Sequence, residues 1–216
     1  MNASRSADDD PFDWFESIHV INLDEDTQRW NRAVDRYEVL GIETKVRRFS
    51  AIPTPESHHI GCALSWRGVV DLAQREGRSR ILGLEDDAVF HTGIRVLLPA
   101  ATAMLDELDW DLFFLGCVSA TPSQTDSVLQ PLSDVTTTHA VAINSTAFDR
   151  ILREVPAQLS DMTPFLERYV AIDQYFSSKI QSGEFRAYAA IPHLASQPAL
   201  LNYQNADLAI ADRFDL

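Results

Sequence analysis

Glu85, Asp86 and Asp87 stand in succession between two apolar runs, Ile81-Leu82-Gly83-Leu84 before them and Ala88-Val89-Phe90 after. A short apolar run ended abruptly by charge reads as a buried strand, which puts the three acids at a strand's carboxyl end. In open α/β sheets, ligands bind at that edge. Adjacent carboxylates repel one another unless a cation lies among them. A hard divalent ion with oxygen ligands, completed by water and phosphate, suits such a position. Taken alone, the trio also reads as a solvated acidic turn or a helix cap. The buried segments on both sides weigh against that reading.

Strands and helices alternate along the rest of the chain. Residues 17–23 (SIHVINL) read as a buried strand, and Asp24 or Asp26 is placed to cap a helix that Gly41 closes. A second strand is expected over 44–49, a helix over 60–76, a third strand over 80–84, a helix over 93–108 and a short strand over 111–115. Residues 117–131 are polar and rich in turn formers, so a loop is expected there. A strand over 136–143, helices over 145–153 and 165–181, a strand over 185–191 and an irregular tail complete the pattern. Such alternation predicts one α/β domain over residues 16–216, with a mostly parallel central sheet flanked by helices. It follows a loose, acidic lead-in over 1–15, which Phe12, Trp14 and Phe15 are able to tack onto the body.

With 18 basic and 32 acidic residues the net charge is −14, a poor match to nucleic-acid backbones or anionic lipid. No apolar run approaches the ~18 residues of a membrane span. The first residues lack the apolar centre of a signal peptide, so a cytoplasmic location is expected. Two cysteines, Cys62 and Cys117, are too few for a disulfide framework. Both lie in apolar runs and read as buried free thiols.

Four segments in order, IHVINLDEDTQRW, FSAIPTPESHHIGCALSW, ILGLEDDAVF and DWDLFFLG, resemble glycosyltransferase family 25. That family contains bacterial lipooligosaccharide sugar transferases and relatives of collagen galactosyltransferase. The likeness covers residues 17–116, with a weaker continuation at Thr138-His139-Ala140 and Ile172-Asp173. It implies a GT-A-type fold, a UDP-sugar donor with galactose as the family's sugar, Mn²⁺ or Mg²⁺, a glycan acceptor, and inversion at the anomeric carbon. Carried over by position, Asn22, Leu23 and Arg29 match the first motif, near where such folds hold the nucleotide. Gly61, Cys62, Leu64 and Ser65 match the second. Glu85, Asp86 and Asp87 match the acidic motif that bridges metal and diphosphate. Where the family has a histidine after the serine, this chain has Trp66. That removes whatever the histidine does, or alternatively offers a flat indole as a platform for a sugar ring.

The donor-binding set expected on these grounds is Asn22, Leu23, Arg29, Ser65, Glu85 and Asp86, and the metal set is Glu85, Asp87 and His139. His139 reads alternatively as a hydrogen-bonded core histidine. An inverting transfer also needs a base at the acceptor hydroxyl. Asp173, an acid in the apolar stretch YVAIDQYF, is the candidate, with a helix-capping carboxylate as the alternative and Glu167 and Asp161 in reserve. His58-His59 read as surface residues rather than a metal pair. Arg47-Arg48 suit either a diphosphate or an exposed strand end. Two rival functions share these residues. One is a catalytically inactive glycan- or nucleotide-binding protein on the same fold. The other is a magnesium-binding phospho-receiver, which needs a lysine on a late strand and is much shorter than 216 residues; the only late lysine, Lys179, falls in an expected helix.

Overall fold

The computed structural model describes residues 10–55, 57–121 and 126–198. In chain order the strands are β1 (Ser17–Asn22), β2 (Val46–Ser50), β3 (Arg80–Glu85), β4 (Val89–Phe90), β5 (Leu112–Phe114), β6 (Leu129–Pro131), β7 (Ala140–Asn144), β8 (Ala187–Ala190) and β9 (Ala195–Ser196). The helices are α1 (Thr27–Leu40), α2 (His58–Arg75), α3 (Ile94–Leu105), α4 (Ser145–Glu154), α5 (Met162–Tyr169) and α6 (Ile172–Gln181). Seven strands form one sheet in the order β2-β1-β3-β7-β5-β8-β6, and β4 pairs with β9 in a separate two-stranded ribbon.

Five of the seven strands run in one direction. The exceptions are β7, antiparallel to both β3 and β5, and β6, antiparallel to β8. The α/β class and the flanking helices match the expectation from sequence. Each face of the sheet carries its own core. Ile81, Leu112, Phe114, Val141 and Ile143 join α2, α4, α5 and α6 on one side. Leu82, Phe113 and Ala142 join α1 and α3 on the other, together with Phe12, Trp14 and Trp110. Neighbouring residues of one strand therefore feed opposite cores, which is why the strands read as continuous apolar runs rather than alternating ones.

Local chemistry sets the element ends. The Asp26 carboxylate accepts the Arg29 N–H and caps α1, and Gly41 closes that helix at φ 68° in the left-handed region. The expected helix over 165–181 is two helices. Val170 takes φ 65° and separates α5 from α6, a break that apolar periodicity alone does not show. Residues 1–9 of the expected lead-in lie outside the described residues, and its aromatic end is tacked onto the body. Phe12, Trp14 and Phe15 are fully packed, with Trp14 stacked 5.3 Å from Trp110, so the body begins by residue 10. Within 117–131, residues 129–131 form an edge strand, and residues 122–125 lie outside the described set. Most of the tail, from residue 199, lies outside it as well. Among the described residues no helix is long and apolar enough to cross a membrane.

One close approach governs the centre of the sheet. Trp66, 0% exposed, lies with its ring against Gly83 of β3 and edge-on to Phe176, 6.5 Å away. A Cβ at position 83 would overlap that ring. Gly83→Ala should therefore destabilise by about 2 kcal/mol through overpacking, a fall of roughly 4–8 °C in Tm. The double variant with Trp66→Phe should recover part of that loss. Thermal unfolding of the three proteins checks both statements, and additive losses in the double variant would contradict the shared-volume account.

Candidate functional site

From β1 the chain passes through α1 to β2 on one side, then crosses through α2 to β3 on the other. The carboxyl ends of β1 and β3 thus flank a point where the connections diverge, the crevice in which open α/β sheets bind ligands. A cavity of about 320 Å³ opens there, and Asn22, Leu23, Arg29, Ser65, Glu85 and Asp86 all line it. The expected donor-binding residues are brought to one place from three separate stretches of chain.

Asp86 is the centre of the local network. Its side chain is only 10% exposed. One oxygen accepts the Asn22 Nδ2 amide at 2.6 Å, and the other meets the Arg29 guanidinium at 2.5 Å. Arg36 donates to the Asp86 backbone carbonyl at 2.7 Å. On its far side Asn22 accepts from Arg48 at 2.5 Å, and Arg48 also donates to the Leu23 carbonyl at 3.0 Å and lies over the Trp30 ring. Burial outweighs these favourable partners and raises the Asp86 carboxyl above its ordinary range. Arg47 points the other way, gripping Glu76 through both carboxylate oxygens. From sequence the two arginines look alike, and strand parity separates them. Arg48 pairs with Val20, on the same face as Asn22 two residues on, while Arg47 pairs with His19.

Glu85 and Asp87 converge on a single atom. The Gln197 amide Nε2 donates to Glu85 Oε2 at 2.9 Å and to Asp87 Oδ1 at 3.2 Å. Glu85 Oε1 accepts from the Thr138 hydroxyl at 2.7 Å, and Asp87 Oδ2 lies 3.3 Å from Arg29. Two carboxylate oxygens aimed at one point fit a divalent ion whose remaining positions are filled by water and phosphate oxygens, the pattern usual for magnesium. The expected three-residue shell does not form. Among the described residues no group of three His, Cys, Asp or Glu side chains is arranged to hold a metal ion. His139 is buried at 1% exposure, beside the Ala195 backbone rather than in a shell with Glu85 and Asp87. Burial lowers its pKa to about 4 and keeps the ring neutral. Gln197 was not visible as a site residue in the sequence, because its role comes from the β4–β9 ribbon folding the chain back over the acids.

Several other expectations change on contact with the structure. Ser65 lines the cavity, but its hydroxyl donates to the Gly61 carbonyl and accepts the Ile52 N–H, so it positions residues 51–54 instead of reaching into the cavity. Trp66 is no sugar platform, since its ring is sealed between α2 and β3. Cys117 is a buried free thiol as expected. Cys62 is free but only half-buried in the cavity wall, its thiol pushed up by burial and by Glu85 and Asp173. Lys179 is held by Glu154 at 2.7 Å and Glu184 at 3.2 Å, away from the acidic turn, which removes the phospho-receiver reading.

A second cavity of about 600 Å³ adjoins the first. His58 lines one and His59 the other, their rings 3.9 Å apart at the start of α2. Asp173 lies in the wall of the larger cavity. Its Oδ2 accepts the Thr137 N–H at 3.1 Å and its Oδ1 the Gln174 N–H at 2.8 Å. Thr137 takes φ 79° and its hydroxyl is buried without a partner, so Asp173 also braces a strained turn. Glu167 and Asp161 are exposed and line neither cavity.

No protein-family model and no curated protein matches the chain. Among solved structures, A197 from STIV is similar at 14% identity and a TM-score of 0.48, covering 80% of each chain. A glycosyltransferase involved in the glycosylation of the major capsid of PBCV-1 is similar at 11% identity and a TM-score of 0.45, covering 81% of this chain and 91% of its own. Apo UDP-glucose pyrophosphorylase is similar at 7% identity and 0.44, covering 81% and 72%. Likenesses this slight decide nothing about function, which has to be argued from the residues of the crevice.

Glu85 supplies a test of the site's electrostatics. Burial, reinforced by Asp87 and Asp86, raises its pKa to about 7 from 4.5. The unfolded chain therefore releases this proton first, and Glu85's contribution to stability is present below about pH 4.5 and is lost as pH rises through 7. In chelator, Glu85→Gln should flatten the decline of Tm between pH 5 and 8, those two pH values being rough bounds on the titration. Parallel profiles for the variant and the parent protein would show that Glu85 titrates normally.

Proposed function

We propose that this protein is a nucleotide-sugar-dependent glycosyltransferase. The observation that supports it best is the joint lining of one crevice, at the carboxyl ends of β1 and β3, by Asn22, Leu23, Arg29, Glu85 and Asp86. The donor's diphosphate would lie against Arg29 and the acidic turn. A divalent ion held by Glu85 and Asp87 would, when bound, offset the charge that builds on the leaving diphosphate. Arg29, 46% exposed and already spanning Asp86 and Asp87, contributes positive charge to the same place. The family-25 resemblance adds uridine as the base, galactose as the sugar, inversion as the stereochemical course and a lipooligosaccharide-type acceptor.

The acceptor would enter the larger cavity, so that its hydroxyl meets Asp173. Asp173 takes the hydroxyl proton as the oxygen attacks the anomeric carbon and the nucleoside diphosphate departs. Each carboxylate oxygen of Asp173 accepts one backbone N–H, and each keeps a further lone pair for that proton. A binding protein without turnover would use the same crevice; release of nucleoside diphosphate from the donor separates the two.

Two outcomes are expected. UDP with Mn²⁺ should raise the Tm of the parent protein by mass action and should lose most of that effect in Asp87→Asn or with chelator. An equal shift in all three conditions would remove the acidic turn from the donor site. Asp173→Asn should lower turnover about 10²–10⁴-fold while leaving UDP affinity unchanged. Near-normal turnover, with an unaltered circular-dichroism spectrum, would show that Asp173 acts only as a brace for Thr137.

A further inference from the structure

We propose that the cavity beside Asp173 receives a sugar carrying an anionic substituent, and that Arg168 reads that charge. The inference deepens the transferase reading and rests on it for the bound sugar's part as acceptor.

The chemistry of the lining points to a hydroxyl-rich ligand. Gln174, Ser178 and Gln181 stand on one face of α6, at positions that a helix brings into line. The opposite face, Tyr175, Phe176 and Ile180, is packed into the core. A row of amides and a hydroxyl facing a hollow of about 600 Å³, with the Asp173 carboxylate in the same wall, matches the size of small-molecule sites and the hydrogen-bonding needs of a short glycan.

Arg168 adds the charge preference. Nearly every cation of this acidic chain is already held. Arg29, Lys45, Arg47, Arg75, Arg78, Arg80, Arg95, Arg150, Arg153, Lys179 and Arg186 are paired with carboxylates. Arg36, Arg48 and Arg67 donate to carbonyl oxygens. Among the described residues, Arg32 and Arg168 alone have neither kind of partner, and only Arg168 lines a cavity. It ends α5, where Val170 at φ 65° turns the chain, and its guanidinium rests 4.9 Å over the Tyr169 ring with its donors free. A protein of net charge −14 repels anionic ligands. A planar five-donor cation held ready at the rim is suited to admit a carboxylate or phosphate there. Neutral sugars gain nothing from it.

Calorimetric titration of the full chain tests this with three probes: a galacturonic acid disaccharide, glucose 6-phosphate and lactose. At least one charged probe should bind roughly tenfold or more tightly than lactose. Which of the two does so distinguishes a carboxylate-bearing sugar from a phosphorylated one. Arg168→Gln should erase the preference, and Arg168→Lys should restore part of it. Equal affinity for charged and neutral probes, binding of none of them, or a preference unchanged in Arg168→Gln overturns the proposal. UDP titration of the same samples keeps the two readings apart. UDP binding without any charge preference removes this site and leaves the transferase reading standing. Charge-selective binding without UDP binding does the reverse.

Discussion

A buried carboxylate needs partners, and Asp86 finds them in two strands and two helical residues. Arg48 on β2 holds Asn22 on β1, Asn22 holds Asp86 beyond β3, and Arg29 and Arg36 on α1 close the circuit. Of its members Asp86 is the most enclosed charge, so removing Asn22 or Arg36 would take compensation from a carboxylate that water reaches poorly. The network therefore locks the mutual position of the strand ends and of the acidic turn. Glu85 and Asp87, on either side of Asp86, are aimed by it. Asp86 itself is largely enclosed, while its neighbours Glu85 and Asp87 carry the carboxylate oxygens that meet at Gln197.

Much of this was legible in the sequence. The acidic turn, the strand before it and the helix capped by Asp26 follow from local pattern, because carboxylates, apolar runs and left-handed glycines act within a few residues. Asn22, Leu23, Arg29, Glu85 and Asp86 were also anticipated at one site. What stayed hidden has a common physical cause. The antiparallel course of β7, the Gln197 contact and the separate fate of His139 depend on which strands become neighbours, and periodicity carries no such information. Trp66 shows the same limit from another direction: an indole reads as a platform only if its face is open, and the face is closed by Gly83 and Phe176.

The two cavities differ in chemical character. The smaller one concentrates charge control, with one guanidinium among three carboxylates. The larger one is mostly uncharged and hydrogen-bonding, with a single carboxylate, Asp173, and a single guanidinium, the exposed Arg168, in its wall. His58 and His59 stand at their boundary, and Cys62 feels carboxylates from both sides. That boundary is built by the first turns of α2, where Gly61 lets residues 51–54 approach the helix closely.

The shared volume of Trp66 and Gly83 also says something about the order in which such a chain can have been assembled. With glycine at 83 and a smaller side chain at 66, the sheet carries a void, a defect that costs stability but leaves the fold intact. With tryptophan at 66 and any β-carbon at 83, two sets of atoms claim one space, and the strand at the floor of the crevice is displaced. A lineage changing one residue at a time therefore passes through glycine at 83 with a smaller side chain at 66, whichever way it moves. Once both are in place, position 83 is constrained to glycine for as long as the indole stays.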